Sequence, residues 1–191
     1  MPRFDEIKKL TSEICYTANF RWSGIQKTIK EYVDDGLNMD PEFQRGHVWN
    51  ESQKIAYIEY KLKGGAGANE IKFNCPGWNS GKIDDFVLVD GKQRLAAVDD
   101  FFNNKIKAFG YFYSEYEDKN NISRIDFVFK INHLKTNLEV LNWYIEINTT
   151  GTPHTYEEIN KVKDMISVIE NGVKGNKTEN KMDKPPKRFM V

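Results

Sequence analysis

Residues 86–102, which read FVLVDGKQRLAAVDDFF, carry the clearest hydrophobic pattern in the chain. The apolar run at residues 86–89 predicts a buried strand. Behind that run, apolar side chains recur at helical spacing, at Leu95, Val98, Phe101 and Phe102. Asp90 is predicted to cap this helix, and Gln93 stands where it would complete a capping box. The stretch therefore predicts a strand that enters a helix through a tight turn at Gly91.

Similar patterns predict the remaining elements. Helical spacing of apolar residues predicts helices at 3–17, 23–33, 50–63, 136–147 and 155–170. Capping boxes are expected at Ser23/Gln26, Asn50/Gln53, Thr136/Glu139 and Thr155/Glu158. Runs that contain β-branched and aromatic residues predict strands at 70–73, 107–113 and 125–131, and a short strand is expected at 37–39, before Asp40 and Pro41.

The length of the chain, 191 residues, suits one domain with its own core. We expect an N-terminal amphipathic helix at 1–20, a folded domain at 21–170 and a flexible basic tail at 171–191. The last segment contains Pro185 and Pro186 and has no apolar period, which is typical of a flexible end.

Charge and hydropathy narrow the classes of function. Lys and Arg total 28 and so do Asp and Glu, so no global field draws the protein to nucleic acid or membrane. No apolar run approaches the roughly 20 residues that a membrane span needs, and the N-terminus lacks the apolar stretch of a signal peptide. We expect a cytoplasmic location. Cys15 and Cys75 have no metal-binding spacing, so both are expected as reduced thiols.

Candidate chemistry begins at the predicted turn. Lys92 and Arg94 place two cations in the first helical turn, where the helix dipole disfavours positive charge. A helix N-terminus flanked by Lys and Arg suits a phosphate group. The alternative, an ordinary strand-to-helix turn with solvated charges, fits this string equally well.

A second unusual segment, EFQRGHVWN at residues 42–50, precedes a predicted helix. It concentrates polar and aromatic groups where no periodicity requires them, at Gln44, Arg45, His47 and Trp49. For Trp49 the alternative role is in the core, and for Arg45 it is a surface ion pair.

A third segment, NTTGTPHTYEE at residues 148–158, offers polar groups that suit the clamping of a ligand. They are Asn148, Gly151, Thr152 and His154. A well-made connection between two helices uses the same residue types, so this alternative stays open.

The stretches EFQRGHVW, VDGKQRL and IEINTTGTPHTYEEI occur in an order that resembles the domain of unknown function 262 family. This is the DGQQR-carrying N-terminal module of GmrSD-type modification-dependent restriction systems, related to the ParB/sulfiredoxin superfamily. The resemblance covers about residues 22–168. Lys92 stands where the family pattern usually has Gln, and it adds a charge while removing an acceptor.

The resemblance implies an α+β, ParB/sulfiredoxin-like nucleotide-binding fold, with a small mixed sheet and flanking helices. It implies catalytic roles for Asp90 and Gln93, and a magnesium ion, bound with the nucleoside triphosphate, that Asp90 would help to hold. Phosphate or nucleotide binding is implied for Gln44, Arg45, Gly91, Lys92, Arg94, Asn148 and Gly151. Contacts with the base, or a place in a lid over the site, are our own expectation for His47, Trp49, Thr152 and His154.

The function implied is that of a nucleoside-triphosphate-binding regulatory domain in a DNA-related phage or defence system, with hydrolysis of the nucleotide as a further expectation. Family members normally carry a downstream nuclease domain, and no such motif occurs in these 191 residues. A separate nuclease or effector subunit is therefore the expected partner, and oligomerisation is compatible with this role. Two alternatives stay open: a module that binds DNA or senses modified DNA, and a catalytically silent interaction protein with the same fold.

Overall fold

A computed structural model describes residues 16–44, 49–80, 83, 85–149 and 156–179. Within those ranges the strands are β1 (Tyr16–Arg21), β2 (Glu70–Asn74), β3 (Val87–Asp90) and β4 (Asp126–Asn132). The α-helices are α1 (Trp22–Asp34), α2 (Glu51–Leu62), α3 (Lys92–Phe102), α4 (Asn137–Thr149) and α5 (Tyr156–Glu179). The predicted α+β class with a small mixed sheet and flanking helices is confirmed.

The strands form one mixed sheet in the order β1-β4-β2-β3. β4 is antiparallel to β1 and parallel to β2, and β2 is antiparallel to β3. The β2/β3 ladder shifts register, because Lys72 pairs with Asp90 while the next residue, Phe73, pairs with Leu88. Val89 is therefore an extra residue, a β-bulge. The bulge places Asp90 on the face of Lys72, whereas strict alternation would place it on the face of Leu88.

Each face of the sheet has its own apolar core. On one face, alternate strand residues pack against α1, α2 and α3, and the largest buried side chains include Trp22, Phe73, Phe86, Phe101, Phe127 and Phe129. On the other face, Val89 packs with residues of α4 and α5, namely Val140, Leu141, Trp143, Tyr144 and Val162. The sheet is thus covered on both sides near β3.

Two of the predicted capping boxes are confirmed. At α2, the Asn50 side chain accepts from Gln53 N at 2.9 Å, and Gln53 Oε1 accepts from Asn50 N at 2.9 Å. At α4, Thr136 and Glu139 make the equivalent pair of bonds. The predicted box at Ser23 is wrong, because α1 already begins at Trp22 and Arg21 provides no side-chain cap. Thr155 lies outside the described residues.

Segment boundaries differ from the predictions at both ends. The predicted helix at 3–17 falls largely outside the described residues, but Tyr16 and Thr17 belong to β1. Tyr16, Ala18 and Phe20 alternate along this strand, and the strand begins at Tyr16, which pairs with Ile131 of β4. At the other end, α5 continues to Glu179, nine residues into the segment expected as a flexible tail. The missing apolar period there predicts no buried face, but it does not exclude a helix.

Two predicted strands are wrong. Residues 107–113 form a tight turn in which Ala108 pairs with Tyr111, followed by a short 3₁₀ helix at Tyr113–Glu115. The chain reverses because Phe109 and Gly110 both have positive φ. Residues 37–39 contribute only a single bridge, from Asn38 to Val87.

An ion pair between α2 and α3 makes stability depend on pH. Asp100 Oδ2 lies 2.6 Å from Lys54 Nζ, and both side chains are less than a fifth exposed, at 18% and 17%. Burial raises the pKa of Asp100, but hydrogen bonds from Lys54 and Lys105 outweigh it, so the pKa lies below its usual value. A depressed carboxyl pKa contributes stability above the unfolded value, near pH 4, and loses it as the pH falls.

Asp100→Asn is therefore expected to lower the free energy of unfolding by about 1–2 kcal/mol at pH 7, and by much less at pH 3. Urea unfolding at both pH values measures this difference. Asp34→Asn is the matched control, because it breaks the exposed pair with Lys30 and should change stability less. Equal losses at pH 7 and pH 3 for Asp100→Asn would contradict the assignment.

The described helices include none with the length and apolar character required to cross a membrane.

Candidate functional site

A cavity of about 410 Å³ lies where β3 ends and α3 begins. Of the predicted site residues, Gln44, Trp49, Asp90, Gly91, Lys92, Gln93, Arg94 and Asn148 line it. Arg45, His47, Gly151, Thr152 and His154 lie outside the described residues. All three predicted segments therefore reach the cavity, and the third does so through its first residue, Asn148, at the end of α4.

The turn into α3 differs from the prediction at its cap. Gly91 is the N-cap residue, with φ of 108°, and no side chain caps the helix in the described structure. Asp90 ends the strand instead of capping, because the bulge at Val89 turns its side chain towards Lys72. The start of α3 consequently lacks the carboxylate cap that the sequence predicts, and a helix start of this kind suits an anionic ligand.

Gly91 is also required by close packing. A Cβ at this position would lie 2.5 Å from Ile71 Cδ1 and 3.2 Å from Ile71 Cα. The α3 N-terminus therefore rests directly on the backbone of β2, which brings Lys72 next to the turn.

The charged side chains of the cavity wall alternate in sign. Asp90 Oδ2 accepts a hydrogen bond from Arg94 Nη2 at 2.7 Å and lies 3.5 Å from Lys72 Nζ. Lys72 Nζ also lies 3.3 Å from Glu70 Oε2, and Glu70 pairs on its other side with Lys130. Arg94 and Lys72 are thus held by carboxylates that a ligand anion would have to replace.

Glu70 stays ionised within this row of charges. Partial burial raises its pKa, but the hydrogen bond from Lys130 and the charges of Lys72 and Lys130 outweigh that effect. Its pKa therefore lies below the usual value. A negative Glu70 fixes Lys72 at the cavity wall.

Lys92 lines the cavity and is also bound to a carboxylate. Its ammonium group forms an ion pair with Asp40, and its side chain is only 10% exposed. Within the DGKQR segment, Arg94 is the residue whose cationic group bonds to Asp90 in the wall of the cavity.

Two buried polar atoms at the cavity have no hydrogen-bond partner among the described residues. Gln44 Nε2 donates to Leu88 O at 3.0 Å, but Gln44 Oε1 is buried and receives no bond. Arg94 Nε is also buried and donates no hydrogen bond to the described residues. A buried acceptor and a buried donor that find no partner in the described part of the chain cost stability unless another group, such as a ligand or water, satisfies them.

The segment that carries Gln44 is fixed by its neighbours. The Phe43 ring packs on Tyr144 of α4 with centroids 5.2 Å apart, and Lys161 of α5 donates to Glu42 O at 3.1 Å. The position of Gln44 therefore depends on both α4 and α5.

Gln93 and Trp49 form another wall. Gln93 Oε1 accepts from Trp49 N at 3.2 Å, so Gln93 joins α3 to the segment before α2. Trp49 packs against Tyr57 with centroids 5.3 Å apart and against the first core, while it also lines the cavity. Both the core role and the site role considered for Trp49 are thus compatible with its position.

Asn148 lines the cavity from α4, and its Nδ2 donates to Tyr144 O at 2.7 Å within the same helix. The side-chain oxygen of Asn148 can accept a hydrogen bond from a ligand.

Comparison with known proteins gives no relative. No family model matches the chain, and no curated protein and no solved structure is significantly similar to it. The resemblance to the domain of unknown function 262 family therefore rests on the three motifs alone.

The sequence analysis missed several residues of the cavity wall. They are Ala68, Glu70, Lys72, Val89, Tyr144 and Ile147. Glu70 and Lys72 alternate with buried Ile71 and Phe73 in β2. That alternation predicts a polar face, but it does not distinguish a site from a solvated surface.

The predicted magnesium ion would be bound together with the nucleoside triphosphate, with Asp90 as its protein ligand. Among the described residues, no group of three or more His, Cys, Asp or Glu side chains is placed to hold a metal. Asp90 Oδ2 is engaged by Arg94 and Lys72, so a metal would have to displace both cations. Magnesium is normally bound through one or two carboxylates plus substrate phosphates, and its presence here stays a prediction.

Proposed function

We propose that the chain is a ParB/sulfiredoxin-like regulatory domain that binds a nucleoside triphosphate in the cavity at the α3 N-terminus. One observation carries the proposal: the start of α3, which has no side-chain cap, borders the same cavity as the Arg94 guanidinium and the Lys72 ammonium. Backbone N–H groups at a helix N-terminus, combined with Arg and Lys, form a binding site for phosphate. The cavity volume of about 410 Å³ falls within the range of small-ligand sites.

In this proposal a phosphate replaces Asp90 as the partner of Arg94 and Lys72. Arg94 can then use Nε, which has no partner among the described residues, together with Nη2, which matches the fork geometry that favours phosphate. The exchange keeps Arg94 and Lys72 ion-paired but releases Asp90, so the N–H groups of α3 and the higher charge of the phosphate must outweigh the loss at Asp90.

The base would lie against the wall formed by Trp49 and Gln44. The indole offers a stacking surface, and the unbonded Gln44 Oε1 accepts from an amino group on the base. Adenine, cytosine and guanine carry such an amino group, whereas uracil and thymine do not. A separate nuclease or effector subunit, a link to DNA, and hydrolysis of the nucleotide belong to the proposal through the sequence resemblance.

Arg94→Ala is expected to weaken triphosphate binding by about 10- to 100-fold, because a charge-assisted, two-point contact is lost. Lys72→Ala should have an effect of similar size. Lys92→Gln, which creates the usual DGQQR motif, should change affinity less than about threefold, since the Lys92 ammonium pairs with Asp40. Titration of a fluorescent ATP analogue, followed by competition with unlabelled nucleotides, measures these affinities.

Arg124→Ala is the matched control, because it removes an exposed arginine that does not line this cavity. The absence of binding by any triphosphate to the wild type, or an unchanged affinity in Arg94→Ala, would refute the proposal. The same titration in EDTA separates direct binding from metal-dependent binding: retained affinity supports contact by Arg94 and Lys72, and lost affinity would show that the nucleotide binds together with a divalent ion.

A further inference from the structure

A two-residue turn beyond α3 holds a bulky side chain in a strained backbone conformation. Ala108 N donates to Tyr111 O at 2.9 Å, and Tyr111 N donates to Ala108 O at 3.0 Å, so Phe109 and Gly110 form the tip. Phe109 has φ of 51°, in the left-handed region where bulky residues are outliers and Asn or Gly is preferred. Its ring is 44% exposed, so core packing does not account for its presence.

Aromatic rings and lysines surround this tip. Tyr111 is 58% exposed. Lys63 Nζ lies 5.1 Å from the centre of the Phe109 ring, and Lys107 Nζ lies 4.6 Å from the centre of the Phe112 ring. We call these five residues, Lys63, Lys107, Phe109, Tyr111 and Phe112, the hairpin surface.

The carboxylates of Glu59 and Glu115 bond to the backbone of the hairpin surface, and neither is within ion-pair distance of its lysines. Glu59 Oε1 accepts from Phe109 N at 2.8 Å, and Glu115 Oε2 accepts from Phe112 N at 2.6 Å. In the described part of the chain, neither Lys63 nor Lys107 forms a salt bridge. The surface therefore combines two partly exposed aromatic residues, Phe109 and Tyr111, with cations that have no carboxylate partner among the described residues.

We propose that the hairpin surface binds single-stranded nucleic acid, with bases stacked on Phe109 and Tyr111 and backbone phosphates at Lys63 and Lys107. Aromatic platforms flanked by cations are the usual means of binding single strands. A duplex would offer the lysines its phosphates but would keep its base faces stacked inside. A protein partner would suit the aromatic residues of this surface, since aromatic residues are enriched at protein interfaces. It would suit the lysines less well, because lysine is depleted from the centres of such interfaces.

This surface is separate from the nucleotide cavity. The cavity lies at the N-terminus of α3 and the hairpin follows its C-terminus, and the 11 residues of α3 span roughly 16 Å. The inference therefore does not rest on nucleotide binding.

Binding of a fluorescent 15-nucleotide oligo-dT, followed by anisotropy over a series of salt concentrations, tests the proposal on the full chain. Phe109→Asn is the informative variant, because Asn suits the left-handed turn while removing the ring. We expect it to keep or raise the melting temperature and to weaken oligo-dT binding at least about tenfold. Lys63→Ala combined with Lys107→Ala should reduce the slope of log affinity against log salt by about 1.4.

Lys27→Ala is the control for charge, since this exposed lysine lies on α1, and it should retain the affinity of the wild type. The proposal is overturned if the wild type does not bind oligo-dT at low salt, or if Phe109→Asn binds as tightly as the wild type. Equal affinity for a duplex of the same length would also overturn it, because stacking would then contribute nothing. A lower melting temperature in Phe109→Asn would overturn the argument from backbone strain.

Discussion

Gly91→Ala is expected to lower the free energy of unfolding by about 3 kcal/mol. Two terms add at this position. The φ of 108° is unfavourable for any residue with a Cβ, and the new Cβ would overlap Ile71, whose Cα lies 3.2 Å from the ideal Cβ position. Ile71 cannot move away freely, because it is fully buried in β2, which pairs with strands on both sides. Urea unfolding of wild type and variant measures the difference.

Two other glycines separate these terms. Gly36 has φ of 100° and no atom within 4 Å of the position that a Cβ would occupy, so Gly36→Ala should show only the conformational cost, about 1 kcal/mol. Gly24 lies in α1 with open space around it, so Gly24→Ala should stabilise the protein by up to about 1 kcal/mol. If Gly91→Ala and Gly36→Ala lower the free energy of unfolding by the same amount, the turn at Gly91 does not contact β2 as closely as described.

Phe73→Ala is expected to have the largest effect on stability, about 4 kcal/mol, because it opens a cavity in the first core. Phe73 is fully buried. Its ring centroid lies 4.9 Å from that of Phe129, 5.8 Å from that of Phe86 and 6.0 Å from that of Tyr32. The variant loses these contacts together with the burial of its own ring.

Phe73→Leu is the graded comparison, because it keeps most of the apolar volume and should cost about 1–1.5 kcal/mol. Val33→Ala is the surface control, since Val33 is 46% exposed, and it should change stability by no more than about 0.5 kcal/mol. Chemical denaturation of all three variants measures the series. If Phe73→Ala lost less free energy of unfolding than Phe73→Leu, the packing described for this core would be contradicted.

The parts of the fold that local patterns specify could be predicted from the sequence. The capping boxes at Asn50 and Thr136 depend on residues three positions apart, and both are present. The strands predicted at 70–73 and 125–131 agree with β2 and β4 within one residue at each end, because their alternation is regular. Local propensity and tertiary packing agree in these elements.

The parts that depend on distant residues could not be predicted. Asp90 has the sequence position of a helix cap, and only its pairing with Lys72 reveals the bulge that places it in the cavity wall. The apolar run at 107–113 satisfies the strand pattern, although Phe109 and Gly110 reverse the chain. Gln44, the 90–94 turn and Asn148, which the sequence analysis grouped together, all line the cavity. Lys72 could be recognised as part of the wall only from the register of the sheet.

The strand order also affects how the chain folds during its synthesis. Among the described strands, β4 is the last to leave the ribosome, yet it joins β1 to β2. β1 therefore has no partner until residue 132 has emerged, whereas β2 and β3 are close enough in sequence to pair earlier. The edges of the nascent β1 consequently stay unpaired until β4 arrives, whereas the wall of the cavity formed by β2 and β3 can be in place before the sheet is complete.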